Sequence, residues 1–139
     1  MKQTDDLREE LMETTDLRRF LAENQQSFHT ESIGQALNAI FLTRDISKAA
    51  LARSAGMSEV YLHQVFSGHR TPSRSRLICL CFGLSVSMEQ AQALLRQSGY
   101  AQLYPKNRRD AIILYGLHNG LPLCQVNDQL FDADEEPLY

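Results

Sequence analysis

Residues 48–73 read KAALARSAGMSEVYLHQVFSGHRTPS, two short apolar-patterned runs divided by a glycine and followed by a basic loop. A small residue stands fifth in this stretch (Ala52), and a glycine stands ninth (Gly56). Branched apolar residues follow at Leu62 and Val65. Because residues three apart share one face of a helix, these two are predicted to anchor a second helix and to turn its other face outward.

Each of these positions has a steric reason. Two helices that cross steeply over a turn of three or four residues nearly touch at one point, and only a small side chain such as Ala52 fits there. The chain must then reverse at once, which favours a positive φ and therefore a glycine at position 56. The spacing predicts a helix-turn-helix, with helices over 48–55 and 58–66.

The charge of the chain is unevenly distributed. Its 139 residues, 43% of them apolar, suffice for one small domain with a packed core. The net charge of −3 divides into −4 for residues 1–46, +7 for residues 47–109 and −6 for residues 110–139. A basic centre between acidic flanks favours an anionic partner, nucleic acid first, and the alternative is a solvated charged face.

Cysteine usage and hydropathy bear on the compartment. Three cysteines form an odd set, which argues against a secreted disulfide framework and for a reducing cytosol. No apolar run approaches the roughly 18 to 20 residues of a membrane span. The acidic start MKQTDDLREE lacks the apolar core of a signal peptide. The expected location is the cytoplasm, with no membrane partner.

Helical periodicity runs through almost the whole chain, and no alternating apolar–polar run is long enough to predict a strand. Serines are expected to cap helices at Ser32, Ser47, Ser58 and Ser87. Glycines are expected to end helices at Gly56, Gly68, Gly99 and Gly120. Two short helices are predicted within 7–21, with Thr15 followed by Asp16 as the cap between them, and a loop at 25–30. The further predicted helices are 33–43, 48–55, 58–66, one opened by Thr71-Pro72-Ser73, 88–97, 108–118, and a last one with Pro122 in its first turn.

Helices of about ten residues joined by short loops predict an all-α fold. We expect a compact helical bundle that contains the helix-turn-helix and carries extra N- and C-terminal helices. Its predicted segments are an N-terminal helical arm (1–30), a helix-turn-helix DNA-binding domain (31–87), a C-terminal helical extension packed on it (88–131) and an acidic tail (132–139).

The run SKAALARSAGMSEVYLHQVFSGHRTPS, followed by LICLCFGLSVS, resembles a known domain. Segment 32–86, about 55 of the 139 residues, resembles the helix-turn-helix domain of phage-repressor-like bacterial regulators of the xenobiotic-response-element type, which has a lambda-repressor-like fold. GYAQLYPKNRRDAIILYGLHNG also resembles an extension found in a subgroup of small bacterial helix-turn-helix proteins.

The resemblance implies that the second helix of the unit lies in the major groove of double-stranded DNA. In that position Gln64 can pair with adenine, Val60 can touch a thymine methyl, and Glu59 can accept from cytosine or adenine. Alternatives stay open. Glu59 can stabilise the N-terminus of its own helix, Val60 and Tyr61 can form an apolar surface for a protein, and Gln64 can be simply solvent-exposed.

The resemblance also implies phosphate contacts from the first helix of the unit and from the loop after the second. These contacts are expected from Lys48, Ser58, His69, Arg70 and Arg74. Arg76 can join them or point away, and for the loop arginines the alternative is a solvated surface.

The sequence indicates neither catalysis nor a metal site. Cys79 and Cys81 lie two apart on a helix and point in roughly opposite directions, as expected for buried structural thiols. No spacing among the three cysteines and four histidines is typical of zinc. NRRD at 107–110 is interpreted as a helix cap with solvated charges, and its arginines can alternatively extend a phosphate-binding surface. No enzyme activity and no cofactor are expected.

Two functions of different classes are therefore considered. The first is a sequence-specific DNA-binding transcriptional regulator, nucleoid-associated and acting as a homodimer. Its dimer surface is expected on the N-terminal helix or on the C-terminal residues Tyr100, Leu103, Tyr104 and Tyr115. The second is an adaptor or antagonist that binds a protein partner through the helix-turn-helix fold. The acidic tail is a candidate for folding back on the basic face and competing with DNA.

Overall fold

The computed structural model describes residues 4–23 and 32–139, and all regular structure in these ranges is α-helical. The all-α prediction is therefore confirmed for the described part of the chain. In chain order the helices are α1 (Thr4–Glu13), α2 (Leu17–Glu23), α3 (Ile33–Leu42), α4 (Lys48–Ser54), α5 (Glu59–Phe66), α6 (Arg74–Gly83), α7 (Met88–Gln97), α8 (Arg108–His118) and α9 (Leu123–Asp132).

The chain divides into two units, Met1–Glu31 and Ser32–Tyr139. The first unit contains α1 and α2, and Asp16 caps α2 by accepting from the backbone N–H of Arg19 at 3.2 Å. The loop predicted at 25–30 lies outside the described residues. The second unit has one continuous core, to which the segments predicted as a DNA-binding domain, an extension and a tail all contribute.

Helix α6 lies at the centre of the second unit. It packs against α4, α7 and α9, while α5 packs on α3 and α4, and α8 pairs with α9. A helix buried on all sides must be apolar all round, and α6 carries five consecutive buried residues: Leu77, Ile78, Cys79, Leu80 and Cys81. Each buried leucine or isoleucine contributes about 1.5–3 kcal/mol, so α6 anchors its neighbours.

Local hydrogen bonds set the helix boundaries. The predicted caps Ser32, Ser47, Ser58 and Ser87 each accept from the backbone N–H three residues on, which satisfies a donor that the helix leaves free. One boundary differs from the prediction. Pro122 occupies the N-cap position before α9 instead of its first turn, and it makes no side-chain capping bond.

Candidate nucleic-acid interface

Helices α4 and α5 are joined by a reversal of four residues at 55–58. The backbone N–H of Gly56 donates to the carbonyl of Arg53 at 3.2 Å, and that of Met57 donates to the carbonyl of Ala52 at 3.0 Å. This pair of bonds forms a Schellman motif, which needs a left-handed residue after the helix. Gly56 supplies it with φ +65°. Ala52 is buried, and the left-handed turn falls at Gly56, where the spacing predicted a glycine with positive φ.

Helix α5 has one buried and one exposed face. Leu62 and Val65 are fully buried and fix the helix against α3 and α4. On the other face, Glu59 and His63 are exposed and Val60 is 69% exposed. Helix α5 therefore presents a carboxylate, an imidazole and one apolar side chain on its outward face.

Gln64, the third predicted base-reading residue, is half-buried and paired with Arg70. The Nε of Arg70 donates to Oε1 of Gln64 at 2.8 Å, and the backbone N–H of Arg70 donates to the carbonyl of Gln64 at 3.1 Å. The arginine thereby holds the amide in one orientation. An amide oxygen has two lone pairs and its nitrogen two donors, so the side chain keeps the capacity to pair with adenine.

Three predicted phosphate contacts gather around the end of α5. Lys48 places its ammonium 5.9 Å from the ring centroid of Phe66, the last residue of α5. His69 lies in the following loop, where its Nδ1 is 2.7 Å from Oγ of Ser67 and its Nε2 remains free of that contact. With Arg70 beside Gln64, these side chains form an exposed border of two cations and one imidazole, which we call the basic edge (Lys48, His69 and Arg70).

Arg74 differs from the other predicted phosphate contacts. Its Nε donates to the carbonyl of Ala101 at 2.9 Å, and one terminal nitrogen donates to the carbonyl of Gln102 at 3.3 Å. The guanidinium also forms an ion pair of 3.2 Å with Asp110, a buried carboxylate. With these bonds Arg74 ties α6 to α8 and to the loop between α7 and α8.

The N-terminal end of α5 carries a second cationic contact. The guanidinium of Arg76 lies 4.7 Å from the ring centroid of Tyr61, within the range of a cation–π interaction. Tyr61 and Arg76 line an open groove, and Arg53, which is exposed on α4, lines it as well. Ser58 caps α5 here by accepting from the backbone N–H of Tyr61 at 3.1 Å. This bond leaves its hydroxyl hydrogen available for an external acceptor.

Sequence reasoning missed three features that position this surface. Asp110, interpreted as part of a solvated cap, is buried against Arg74. On α3, Gly34 lies against the backbone carbonyl of Val65 in α5, where a methyl group has no room. The Tyr139 ring lies against the α4–α5 turn. None of the three leaves a periodic signal, because each depends on residues that are distant in the chain.

Two buried thiols lie on the central helix α6. Burial raises the pKa of the Cys79 thiol to about 11 and that of Cys81 to about 12, so both are protonated and inert near neutrality. Within the described ranges, no three His, Cys, Asp or Glu residues lie close enough to hold a metal ion. None of the described helices has the length and apolar character that crossing a bilayer requires.

No family model, no curated protein and no solved structure matches this chain. Its function is therefore argued from α4, α5 and the 67–73 loop themselves.

Proposed function

We propose that this protein is a sequence-specific, DNA-binding transcriptional regulator of the phage-repressor-like type. In this proposal α4 and α5 form a helix-turn-helix, and α5 enters the major groove. The observation that carries the proposal is the outward face of α5, which is exposed at Glu59 and Val60 and bordered by the basic edge. The +7 charge of residues 47–109 supports the same reading, because DNA selects cationic surfaces.

Three side chains are assigned to base edges. Gln64 pairs with N6 and N7 of adenine in the orientation that Arg70 holds. Val60 packs on a thymine methyl. Glu59, at the first turn of α5, accepts from cytosine N4 or adenine N6. Opposite any other base its carboxylate is repelled, and this repulsion disfavours binding to the wrong sequence.

The phosphate contacts are assigned to the basic edge and to Ser58. Lys48 and Arg70 neutralise phosphates, while His69 and Ser58 donate hydrogen bonds. Arg74 is assigned to the fold, because Ala101, Gln102 and Asp110 already take its donors. Arg74 therefore contributes to DNA binding only indirectly, because it fixes the start of α6, which begins directly after the basic loop.

A homodimer in the bacterial nucleoid is part of the proposal. A single module of this size buries about 600–1,000 Å² on DNA, and pairing doubles the number of contacts. Of the four C-terminal residues expected at the dimer surface, Tyr104 and Tyr115 are 57% and 58% exposed and stay candidates. Leu103 is buried, and the hydroxyl of Tyr100 donates to the carbonyl of Pro72, so these two belong to the fold.

Purified protein and fragmented genomic DNA test the proposal by gel shift. A specific complex is expected, and its affinity should fall by roughly two orders of magnitude between about 50 and 200 mM salt, because Lys48 and Arg70 of the two protomers neutralise about four phosphates. Lys48→Ala should weaken binding to all fragments alike and lower the salt slope by about one per protomer. Gln64→Ala should relax preference at one base pair. Arg96→Ala, which removes an exposed arginine on α7, is the control and should change neither.

Arg70→Ala should combine both effects, because Arg70 contacts phosphate and also holds Gln64. Failure of every fragment to bind in the lowest salt would refute the proposal. Equal loss on all sequences from Gln64→Ala would refute the role given to that residue.

A second candidate is an adaptor or antagonist that binds a protein. It is favoured by the 69% exposure of Val60 and by the Arg76–Tyr61 stack at the same end of α5. A protein partner that is retained by the native chain, lost in Val60→Lys and unaffected by competing DNA would establish this function instead.

A further inference from the structure

We propose that residues 133–139, here called the strap, position helix α5 for DNA binding by bracing the α4–α5 turn. The idea extends the proposed function, since it assigns a role in DNA binding to a segment outside α4 and α5. The expectation from the sequence is that this acidic segment masks the basic face and competes with DNA, whereas the strap proposed here assists DNA binding. The docking of the strap and its contact with the turn can be tested whether or not the protein binds DNA.

The strap is anchored in the core at Leu138. This side chain is only 4% exposed. Its backbone N–H donates to Oδ1 of Asn127 at 2.7 Å, and its carbonyl accepts from the Cys79 thiol, with 3.8 Å between sulfur and oxygen. Asn127 belongs to α9 and Cys79 to the central helix α6, so Leu138 is fixed between two helices.

A second anchor holds the backbone that leads to Leu138. Nε of Arg109 donates to the carbonyl of Glu136 at 2.7 Å, and Nη2 donates to the carbonyl of Pro137 at 3.3 Å and to Oγ of Ser75 at 3.4 Å. The strap is thus held through its backbone, one apolar side chain and an ion pair of 3.9 Å between Nε of Arg108 and Glu135. None of these contacts involves a residue of the basic edge, which argues against a mask over that edge.

Tyr139 joins the anchored strap to the turn. A Cβ built on Gly56 would lie 3.1 Å from Cγ, Cδ1 and Cε1 of the Tyr139 ring. Equal distances to three neighbouring ring atoms place the glycine over the ring. No hydrogen bond involves the tyrosine hydroxyl in the described ranges, so the contact depends on the ring alone.

The physical consequence follows from the length of the turn. Leu62 and Val65 fix α5 against α3 and α4, and only residues 55–58 join α5 to α4, so the backbone at Gly56 further constrains the N-terminal end of α5. The Tyr139 ring, which follows the anchored Leu138, lies against this residue and limits how far the turn can move. Losing the ring should widen the range of α5 orientations and weaken base contacts, which need a defined geometry, more than phosphate contacts.

DNA affinity provides the first test. Tyr139→Ala should weaken specific binding about three- to tenfold and leave non-specific binding almost unchanged, so the specificity ratio falls. Tyr139→Phe should bind as the parent does, because it keeps the ring. Phe131→Ala, which removes a 75% exposed aromatic ring on α9, is the control and should have no effect. Tighter binding after loss of residues 137–139, or an equal loss of specific and non-specific binding, would overturn the proposal.

Cysteine reactivity provides a test that needs no DNA. In a Cys124→Ser background, Cys79 lies under the strap while Cys81 lies in the core two residues further along α6. In Leu138→Ala, alkylation of Cys79 should become at least tenfold faster, with Cys81 still protected. If both thiols react equally fast, the substitution unfolds the whole unit. If neither rate changes, the strap does not cover Cys79. Unchanged rates would overturn the proposal, and if both thiols react equally fast the decision passes to Tyr139→Ala, which keeps Leu138.

Amide hydrogen exchange tests the brace itself. In Tyr139→Ala, exchange at Gly56 and Met57 should rise by about tenfold. The matching amides of Gly120 and Leu121, which close an equivalent turn after α8, should be unchanged. Unchanged exchange at Gly56 would refute the claim that Tyr139 braces the turn, even if the protein binds DNA. Faster exchange in a chain that binds no DNA would keep the brace and reject only the proposed function.

Discussion

Replacing Gly56 by alanine measures the contact between the turn and Tyr139, and the chain supplies a matched control. Gly120 has φ +64° against +65° at Gly56, and it ends α8 with the same pair of backbone hydrogen bonds. The two sites differ in their surroundings. A Cβ at Gly120 meets nothing within 4 Å, whereas a Cβ at Gly56 meets the Tyr139 ring at 3.1 Å.

The magnitudes follow from these two observations. An L-residue in the left-handed region costs roughly 1–2 kcal/mol, and this cost applies to both substitutions. Carbon atoms normally pack about 3.5–4.0 Å apart, so at Gly56 the ring must also move by about half an ångström. Tyr139 is 56% exposed and can yield, which places this second cost near 1 kcal/mol, the lower end for overpacking. Gly56→Ala should therefore cost about 1 kcal/mol more than Gly120→Ala.

Denaturant unfolding of the two variants in the parent and in a Tyr139→Ala background isolates the contact as a double-mutant cycle. In the Tyr139→Ala background the difference between the two glycine sites should fall to a few tenths of a kcal/mol. Equal costs in the parent background would refute the contact. A difference that persists without the tyrosine ring would assign the extra cost to the backbone of the turn.

Three further substitutions test the packing and the buried charges. Gly34→Ala should destabilise the protein by about 2–3 kcal/mol in denaturant unfolding, because its methyl group meets the rigid backbone carbonyl of Val65. Asp110→Ala should cost about 2–3 kcal/mol by the same assay, below the 3–5 of a fully buried pair, because Arg74 keeps its carbonyl partners and is 26% exposed. The Cys81 pKa is raised from 9.0 to about 12, so stability from this thiol is full below pH 9 and lost as the pH rises towards 12. Relative to Cys81→Ala, the parent should therefore lose up to about 1.4 kcal/mol per pH unit in that window, and a constant difference would contradict this.

The amino-acid sequence by itself was sufficient for the local structure. Capping by Ser58, the left-handed turn at Gly56 and the buried stripe of Leu62 and Val65 involve residues at most five positions apart, so spacing and residue type determine them. The exposure of Glu59 and Val60 follows from the same periodicity, because the face opposite a buried stripe must point outward.

Only the tertiary structure decided how side chains from distant segments are used. Arg74 and Asp110 carry no mark in the sequence that distinguishes a solvated charge from a buried ion pair, because burial depends on how α6, α8 and the loop between α7 and α8 converge. The same holds for Tyr139, which meets Gly56 only after Leu138 has been fixed between α6 and α9. Periodicity records which face of a helix is buried, but which residues meet there depends on close packing between whole helices.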